Sequence, residues 1–140
     1  MIAIDTNVLL RYLLRDNKAQ AAKAEKLITG GGHVLITDVV LTETVWTLTG
    51  KRYGLDGDGV TQVLLALFEE TSIVFEDSAT VWRALSEFRL AQANRPESIG
   101  FPDTLILHVG RTHAGLYEDG FGGFYTFDQA AQKLPGAKAP

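Results

Sequence analysis

The chain opens with a short apolar run, Ile2 to Ile4, that stops at Asp5; Val8, Leu9, Tyr12 and Leu13 then recur at helical spacing. The pattern predicts a buried strand that hands a carboxylate to the start of a helix. Asp16 or Asn17 can cap a second helix over Ala19–Ile28, rich in strong helix formers and ended by Gly30-Gly31-Gly32. Val34–Ile36 predicts a second buried strand, and Asp38 a cap for a helix from Val39 to about Tyr53. Gly54 to Gly59 is turn-rich, and Val63, Leu64, Leu67 and Phe68 mark the apolar face of a helix over Val60–Glu70. A third strand, Ser72–Phe75, precedes a long helix that Asp77 or Ser78 caps and that reaches about Gln92, with Val81, Leu85 and Phe88 inward. Beyond the polar loop Asn94–Gly100, a helix opens at Phe101-Pro102-Asp103 and runs to about His113, its proline tolerated in the first turn. Gly115–Gly123 is loose, Phe124–Thr126 a fourth strand, Asp128–Lys133 a short helix, and the remainder a frayed tail.

Strands alternating with helices, on connections long enough for crossovers, predict an α/β fold with a mostly parallel sheet and helices on both faces. A carboxylate at the strand-to-helix junction then lies at the carboxyl edge of the sheet, where open α/β folds bind ligands. With no repeat and no dividing linker, residues 1–134 are expected to form one domain and 135–140 a C-terminal tail.

Composition narrows the chemistry. An apolar fraction of 46% over 140 residues is that of a folded chain with a real core. The absence of cysteine removes disulfides and thiolate zinc sites, and His33, His108 and His113 are too scattered to suggest zinc. No apolar run approaches the ~20 residues of a membrane span, and Asp5 interrupts the start too early for a signal peptide, so a cytoplasmic protein is expected. The net charge of −4 argues against indiscriminate nucleic-acid coating. Yet residues 1–54 carry seven Lys/Arg against five Asp/Glu, so the first third could touch phosphate.

The candidate chemistry is acidic. Asp5, Asp103 and Asp128 each fall at or near a predicted helix start, where an aspartate also serves as a cap; Asp16, Asp38 and Asp77 look the same and are assigned to capping. Glu43 differs, because Val39, Val40, Trp46 and Thr47 share its face, which places a carboxylate on an inward, apolar side. Asp103 shares a face with Ile106, Leu107 and Gly110. Four carboxylates brought together would repel one another unless a hard cation intervened, and all-oxygen ligation without Cys or clustered His points to Mg²⁺ or Mn²⁺. Such a site suits phosphodiester hydrolysis by a metal-activated water. No Gly-x-Ser-x-Gly elbow or Ser–His pairing offers a side-chain nucleophile, and no residue is assigned to an organic cofactor.

Four blocks then carry a resemblance: Ile4-Asp5-Thr6-Asn7-Val8-Leu9-Leu10, Leu41-Thr42-Glu43-Thr44-Val45-Trp46, Gly100-Phe101-Pro102-Asp103-Thr104-Leu105-Ile106 and Tyr125-Thr126-Phe127-Asp128. In this order they resemble PIN-domain ribonucleases of the VapC type, the toxin half of bacterial type II toxin–antitoxin modules. The resemblance implies an α/β/α sandwich with a central, mostly parallel sheet of four to five strands. It implies a Mg²⁺-dependent endoribonuclease acting on an RNA substrate, a homodimer, and a cognate VapB-type antitoxin whose C-terminal segment fills the active-site groove. It places Asp5, Glu43, Asp103 and Asp128 at the catalytic, metal-binding positions. Thr6 and Asn7 fall where small polar residues support the first acid, and Thr126 where a polar residue lines the site. The chain departs from the pattern at Gly100, where many relatives carry an acid, and at Pro102, where a small residue is usual; Glu97 could substitute from the loop.

Arg11 and Arg15, leaving the site on the first helix, are candidates for RNA phosphates, with a solvated stripe as the equal alternative; Lys51 and Arg52 are further candidates. Trp46, Phe68, Trp82, Phe88 and Phe127 are expected in the core. The competing functional class is a non-catalytic PIN-like module that binds RNA or protein, against which stands the cost of gathering negative charge beside phosphate. A phosphatase or phosphotransferase ranks lower, since Asp5-Thr6-Asn7 lacks a second aspartate two positions on.

Overall fold

Four helices of this chain begin where a short polar side chain accepts a free backbone N–H. The computed structural model describes residues 1–94 and 99–140. In it Asp5 caps α1 (Thr6–Leu14), Asn17 caps α2 (Lys18–Ile28), Thr37 caps α3 (Asp38–Thr49) and Asp56 caps α4 (Gly57–Glu69). Two of the expected caps are therefore corrected. Asp16 pairs with Arg11 at 2.8 Å, leaving Asn17 to cap. Asp38 lies inside the first turn of α3, because the Thr37 hydroxyl already accepts from the Val40 N–H at 3.3 Å. The chain packs as two compact units, Met1–Ser78 and Ala79–Pro140.

In the first unit, β1 (Ile2–Ala3), β2 (Val34–Ile36) and β3 (Ile73–Phe75) form a parallel sheet in that order, with Ile2 opposite Val34 and Val34 opposite Ile73. The central strand buries Val34 and Ile36. At the sheet's edge, β1 leaves Ile2 and Ala3 exposed and buries only the following Ile4, so the expected buried strand is buried at its end alone. α1 packs on α2 and α3 through fully buried Leu9. Truncating such a leucine to alanine costs about 2–5 kcal/mol. Phe68 and Phe75 meet at 4.7 Å between ring centres.

The second unit holds α6 (Phe101–Ala114), β4 (Phe124–Tyr125), a 3₁₀ turn at Ala131–Lys133 and β5 (Ala137–Lys138), with nearly all of α5 (Ser78–Asn94). Ile99, Leu107 and Leu134 form a core patch against Ala91, Phe124, Ala130 and Ala137. Phe88 meets Phe101 edge-on at 6.1 Å. The C-terminal residues, expected to fray, pair instead: β5 runs parallel to β4, with Phe124 opposite Ala137. Gly136 makes this return possible, since its φ of 87° suits glycine and a Cβ there would meet Arg111 Nη2 at 2.7 Å. That Arg111 nitrogen donates to the Pro135 carbonyl. The chain is thus an α/β fold in which every strand pair among the described residues is parallel, five strands in sets of three and two. No helix among them is long and apolar enough to cross a membrane.

Candidate functional site

Asp5 stands between β1 and α1, exposed, with Oδ1 accepting from the Val8 N–H at 3.0 Å. Thr6, the next residue, reaches across to α3, where its hydroxyl donates to Glu43 Oε2 at 2.6 Å. One residue thus joins the cap of α1 to the acid of α3. Asn7 is exposed at the same end of α1 and lines the pocket beside Asp5.

Glu43 is exposed rather than inward. α3 buries Leu41, Thr44, Val45 and Leu48, a stripe at helical spacing, and Glu43 lies on the opposite side with Val39 and Trp46, which are 67% and 59% exposed. Trp46 is therefore not core. Trp82 and Phe127 also depart from expectation, at 47% and 87% exposed, whereas Phe88 is buried and Phe68 half-buried.

In the second unit Asp103 sits in the first turn of α6, half-buried, with Oδ2 accepting from the Gly100 N–H at 2.8 Å. Burial pushes its carboxyl above the usual value and the nearby charge of Asp128 adds to this, while the Gly100 N–H pulls the other way. Asp128 is exposed, and its Oδ1 accepts from the N–H groups of Ala130 at 2.8 Å and Ala131 at 3.0 Å. Thr126 holds this turn: its hydroxyl accepts from the Asp128 N–H at 3.1 Å, and its carbonyl accepts from Gln132 Nε2 at 2.8 Å. The two threonines thus differ: Thr6 donates to the Glu43 carboxylate itself, whereas Thr126 accepts from the backbone N–H of Asp128.

A common rule unites the four acids. Each has one oxygen committed to a hydrogen bond and a second with none among the described residues. Capping, which competes with ligation in a reading of the sequence, thus occupies only one oxygen of Asp5, Asp103 and Asp128. The donors are hard oxygens, the kind that Mg²⁺ and Mn²⁺ take. Among the described residues, no three or more His, Cys, Asp or Glu side chains are gathered as a metal cluster. The first unit brings Asp5 and Glu43 to Thr6, and the second brings Asp128 near Asp103. Glu97 lies outside the described residues.

Arg11, Arg15 and Arg52 are not free cations. Arg11 donates to Asp16 through Nη1 and to Gln20 through Nε, and Arg15 pairs with Glu25 at 3.2 Å. Arg52 lies over the ring of its neighbour Tyr53. Sequence reasoning passed over Gln20, Lys23, Ala24 and Leu27, which with Val8 and Arg11 line an open pocket of about 300 Å³ beside Asp5. Their spacing on one face of α2 is the signal that could have found them.

The family model of the PIN domain matches residues 2–133. The chain belongs to the PIN-domain family, an α/β/α fold, and at the level of that family it is a nuclease-type domain. Among solved structures it is similar to a VapBC2 complex from Rickettsia felis bound to a DNA fragment from their promoter. The identity is 15%, over 100% of this chain and 98% of that chain, with a TM-score of 0.37. No curated protein matches the chain.

Proposed function

We propose that this chain is a Mg²⁺-dependent endoribonuclease, the VapC-type toxin of a toxin–antitoxin pair, with Mn²⁺ able to replace Mg²⁺. Asp5, Glu43 and Asp103 are the ligands, directly or through water, and Asp128 contributes to the same centre or to a second ion. The observation that carries this reading is the shared anchoring of the four acids, each with one oxygen held and one left over. Collecting unpaired carboxylate oxygens beside a phosphodiester is unfavourable without a cation, which weighs against a purely RNA-binding module. A divalent ion bound there supplies charge neutralisation at the phosphate and a bound water of lowered pKa.

The chain's own residues position rather than attack. Thr6 fixes the Glu43 carboxylate, Thr126 fixes the turn that aims Asp128, and the Gly100 N–H orients Asp103. Hydrolysis is expected to leave a 5′-phosphate and a 3′-hydroxyl; a 2′,3′-cyclic phosphate would reject it. The same reading includes a cytoplasmic setting, a homodimer and a VapB-type antitoxin. The exposed Val39 and Trp46 beside Glu43 offer apolar surface that a protein partner would cover.

The test incubates the purified, antitoxin-free chain with structured RNA in Mg²⁺ or Mn²⁺, in EDTA, and as Asp103→Asn. Discrete metal-dependent cleavage that disappears in the variant supports the reading. A folded chain that cuts neither RNA nor single-stranded DNA and shows no Mg²⁺ or Mn²⁺ binding by calorimetry is instead a binding module.

A further inference from the structure

We infer that the pocket between α1 and α2 receives a nucleobase of the RNA substrate, flanking the phosphate that is cut; this rests on the nuclease reading above. The pocket lies beside Asp5, and its volume of about 300 Å³ is at the small end of ligand sites, which run to roughly 300–1,000 Å³. Val8, Ala24 and Leu27 supply an apolar floor, and Leu27 remains 46% exposed although it is a large aliphatic side chain.

The wall beside this floor is polar and held in place. Arg11 is fixed by hydrogen bonds from Nε to Gln20 Oε1 at 2.6 Å and from Nη1 to both Asp16 oxygens at 2.8 and 3.0 Å. Asp16 already neutralises its charge, so Arg11 is poorly suited to clamp a phosphate. A planar guanidinium with fixed orientation is, however, one of the surfaces on which unstacked RNA bases lie. The uncommitted cation is Lys23, exposed at the same pocket and in no ion pair among the described residues. It is the group that complements the charge of the adjoining phosphate. An apolar floor, a fixed guanidinium and one free cation fit a nucleotide better than a bare anion, which has no use for the floor. The two arginines, read from the sequence as candidates for phosphate with a solvated stripe as the equal alternative, thus separate: Arg11 becomes a base platform, and Arg15, paired with Glu25, takes no part.

The test uses the full chain in two ways. Amide spectra are recorded in EDTA during titration with each nucleoside 5′-monophosphate, with ribose 5-phosphate and with inorganic phosphate. Cleavage sites in a random RNA pool are then mapped for the wild type, Leu27→Glu and Lys23→Ala, both surface changes. At least one nucleotide is expected to shift the Gln20–Leu27 amides where ribose 5-phosphate and phosphate do not. Leu27→Glu is expected to lower kcat/KM about tenfold, the scale of one stacked base, and to flatten the base preference at one position beside the cut. Lys23→Ala should raise KM and leave that preference in place. Equal shifts with inorganic phosphate, or an unchanged base preference in Leu27→Glu, would overturn the inference. So would a change of oligomeric state in Leu27→Glu, which would assign the pocket to a second copy of the chain. The nuclease reading fails separately: a wild type that binds nucleotides here but cuts no RNA keeps a nucleotide pocket and loses the enzyme.

Discussion

The two units hold their acids in opposite ways. In Met1–Ser78, Asp5 and Glu43 are both exposed, so water carries most of the cost of their charge; the Thr6 hydroxyl orders Glu43 and the Val8 N–H orders Asp5. In Ala79–Pro140, Asp103 is half-buried and its carboxyl is pushed up, first by burial and then by Asp128. The first pair is arranged at little electrostatic cost; the second stores an unfavourable charge that a bound cation would relieve. The fold therefore bears a penalty at Asp103 that its hydrogen bond from the Gly100 N–H offsets only in part.

The largest expected effect follows from that contrast. Asp103→Asn should lower cleavage by more than about a hundredfold, since even outer-shell partners of a metal are worth 10–100-fold. In EDTA the same variant should be more stable than the wild type at neutral pH. A carboxyl whose folded pKa is raised contributes stability below its unfolded value of 3.8, and that contribution is lost as pH rises through the folded value. Asparagine keeps an acceptor for the Gly100 N–H and carries no charge to penalise. Asp5→Asn should abolish cleavage equally without this gain in stability. Equal thermal melts for the two variants across pH 3–8 would erase the distinction between the units.

A smaller effect is expected at Thr6. Thr6→Val removes the hydroxyl that orders Glu43 and should cost about tenfold in kcat, with Thr6→Ser restoring most of it. Stability should change by no more than about 1.5 kcal/mol, the upper end for one hydrogen bond. A loss of folding in place of activity would make Thr6 a structural tie between α1 and α3.

How much of this was legible in the sequence depends on the length and one-sidedness of each signal. The order of helices and strands through Tyr125 follows from periodicity. α4 begins at Gly57, earlier than expected, because the Asp56 cap and the burial of Val60, Leu64 and Leu67 outweigh two glycines at about 1 kcal/mol each. α3 misled because it is apolar on most of its circumference. Neighbours of Glu43 could not say which side faced the core, and the stripe Leu41-Thr44-Val45-Leu48 took it. A two-residue strand such as Ala137–Lys138 has no periodicity to read; its register is set by Gly136 and the pairing with Phe124. The four acids stand out in the sequence by their blocks, as candidates. Their division of labour, one oxygen on the backbone or a hydroxyl and one left open, was not legible there, because it depends on local turn geometry.

His108, one turn beyond Asp103 on α6, is a second buried titratable group with the opposite pH sense. Its Nε2 has no hydrogen-bond partner among the described residues, and Glu87 stands 3.7 Å away. Burial, followed by the charge of Arg111, pushes its pKa below 6.5, against a smaller upward pull from Glu87. The neutral ring's contribution is full above 6.5 and is lost as pH falls from there toward the folded value. This loss masks part of the acid-side gain from Asp103. His108→Gln should flatten stability between pH 6.5 and its lower folded value, so that the double variant with Asp103→Asn melts at nearly the same temperature throughout. A persistent pH slope in the double variant would mean that other groups set the behaviour of this unit.

The smallest effect is expected where the chain departs from its family's pattern. Gly100 has an ordinary φ of −91°, and a Cβ placed on it would meet Asp103 Oδ2 and Pro102 Cδ at 3.4 Å each, contacts that need no rearrangement. The backbone thus accepts a side chain, and its absence is a matter of charge more than of space. Gly100→Asp would set a second carboxylate against one already disfavoured by burial, raising the Asp103 pKa further and lowering the melting temperature in EDTA by a few degrees. The same change adds a hard donor, so Mg²⁺ should recover more stability in Gly100→Asp than in the wild type. Calorimetric melts with and without Mg²⁺ decide between these terms. A variant destabilised equally in both conditions would leave the charge of Asp103 unrelieved by metal, and the contrast between the two units would then be one of packing alone.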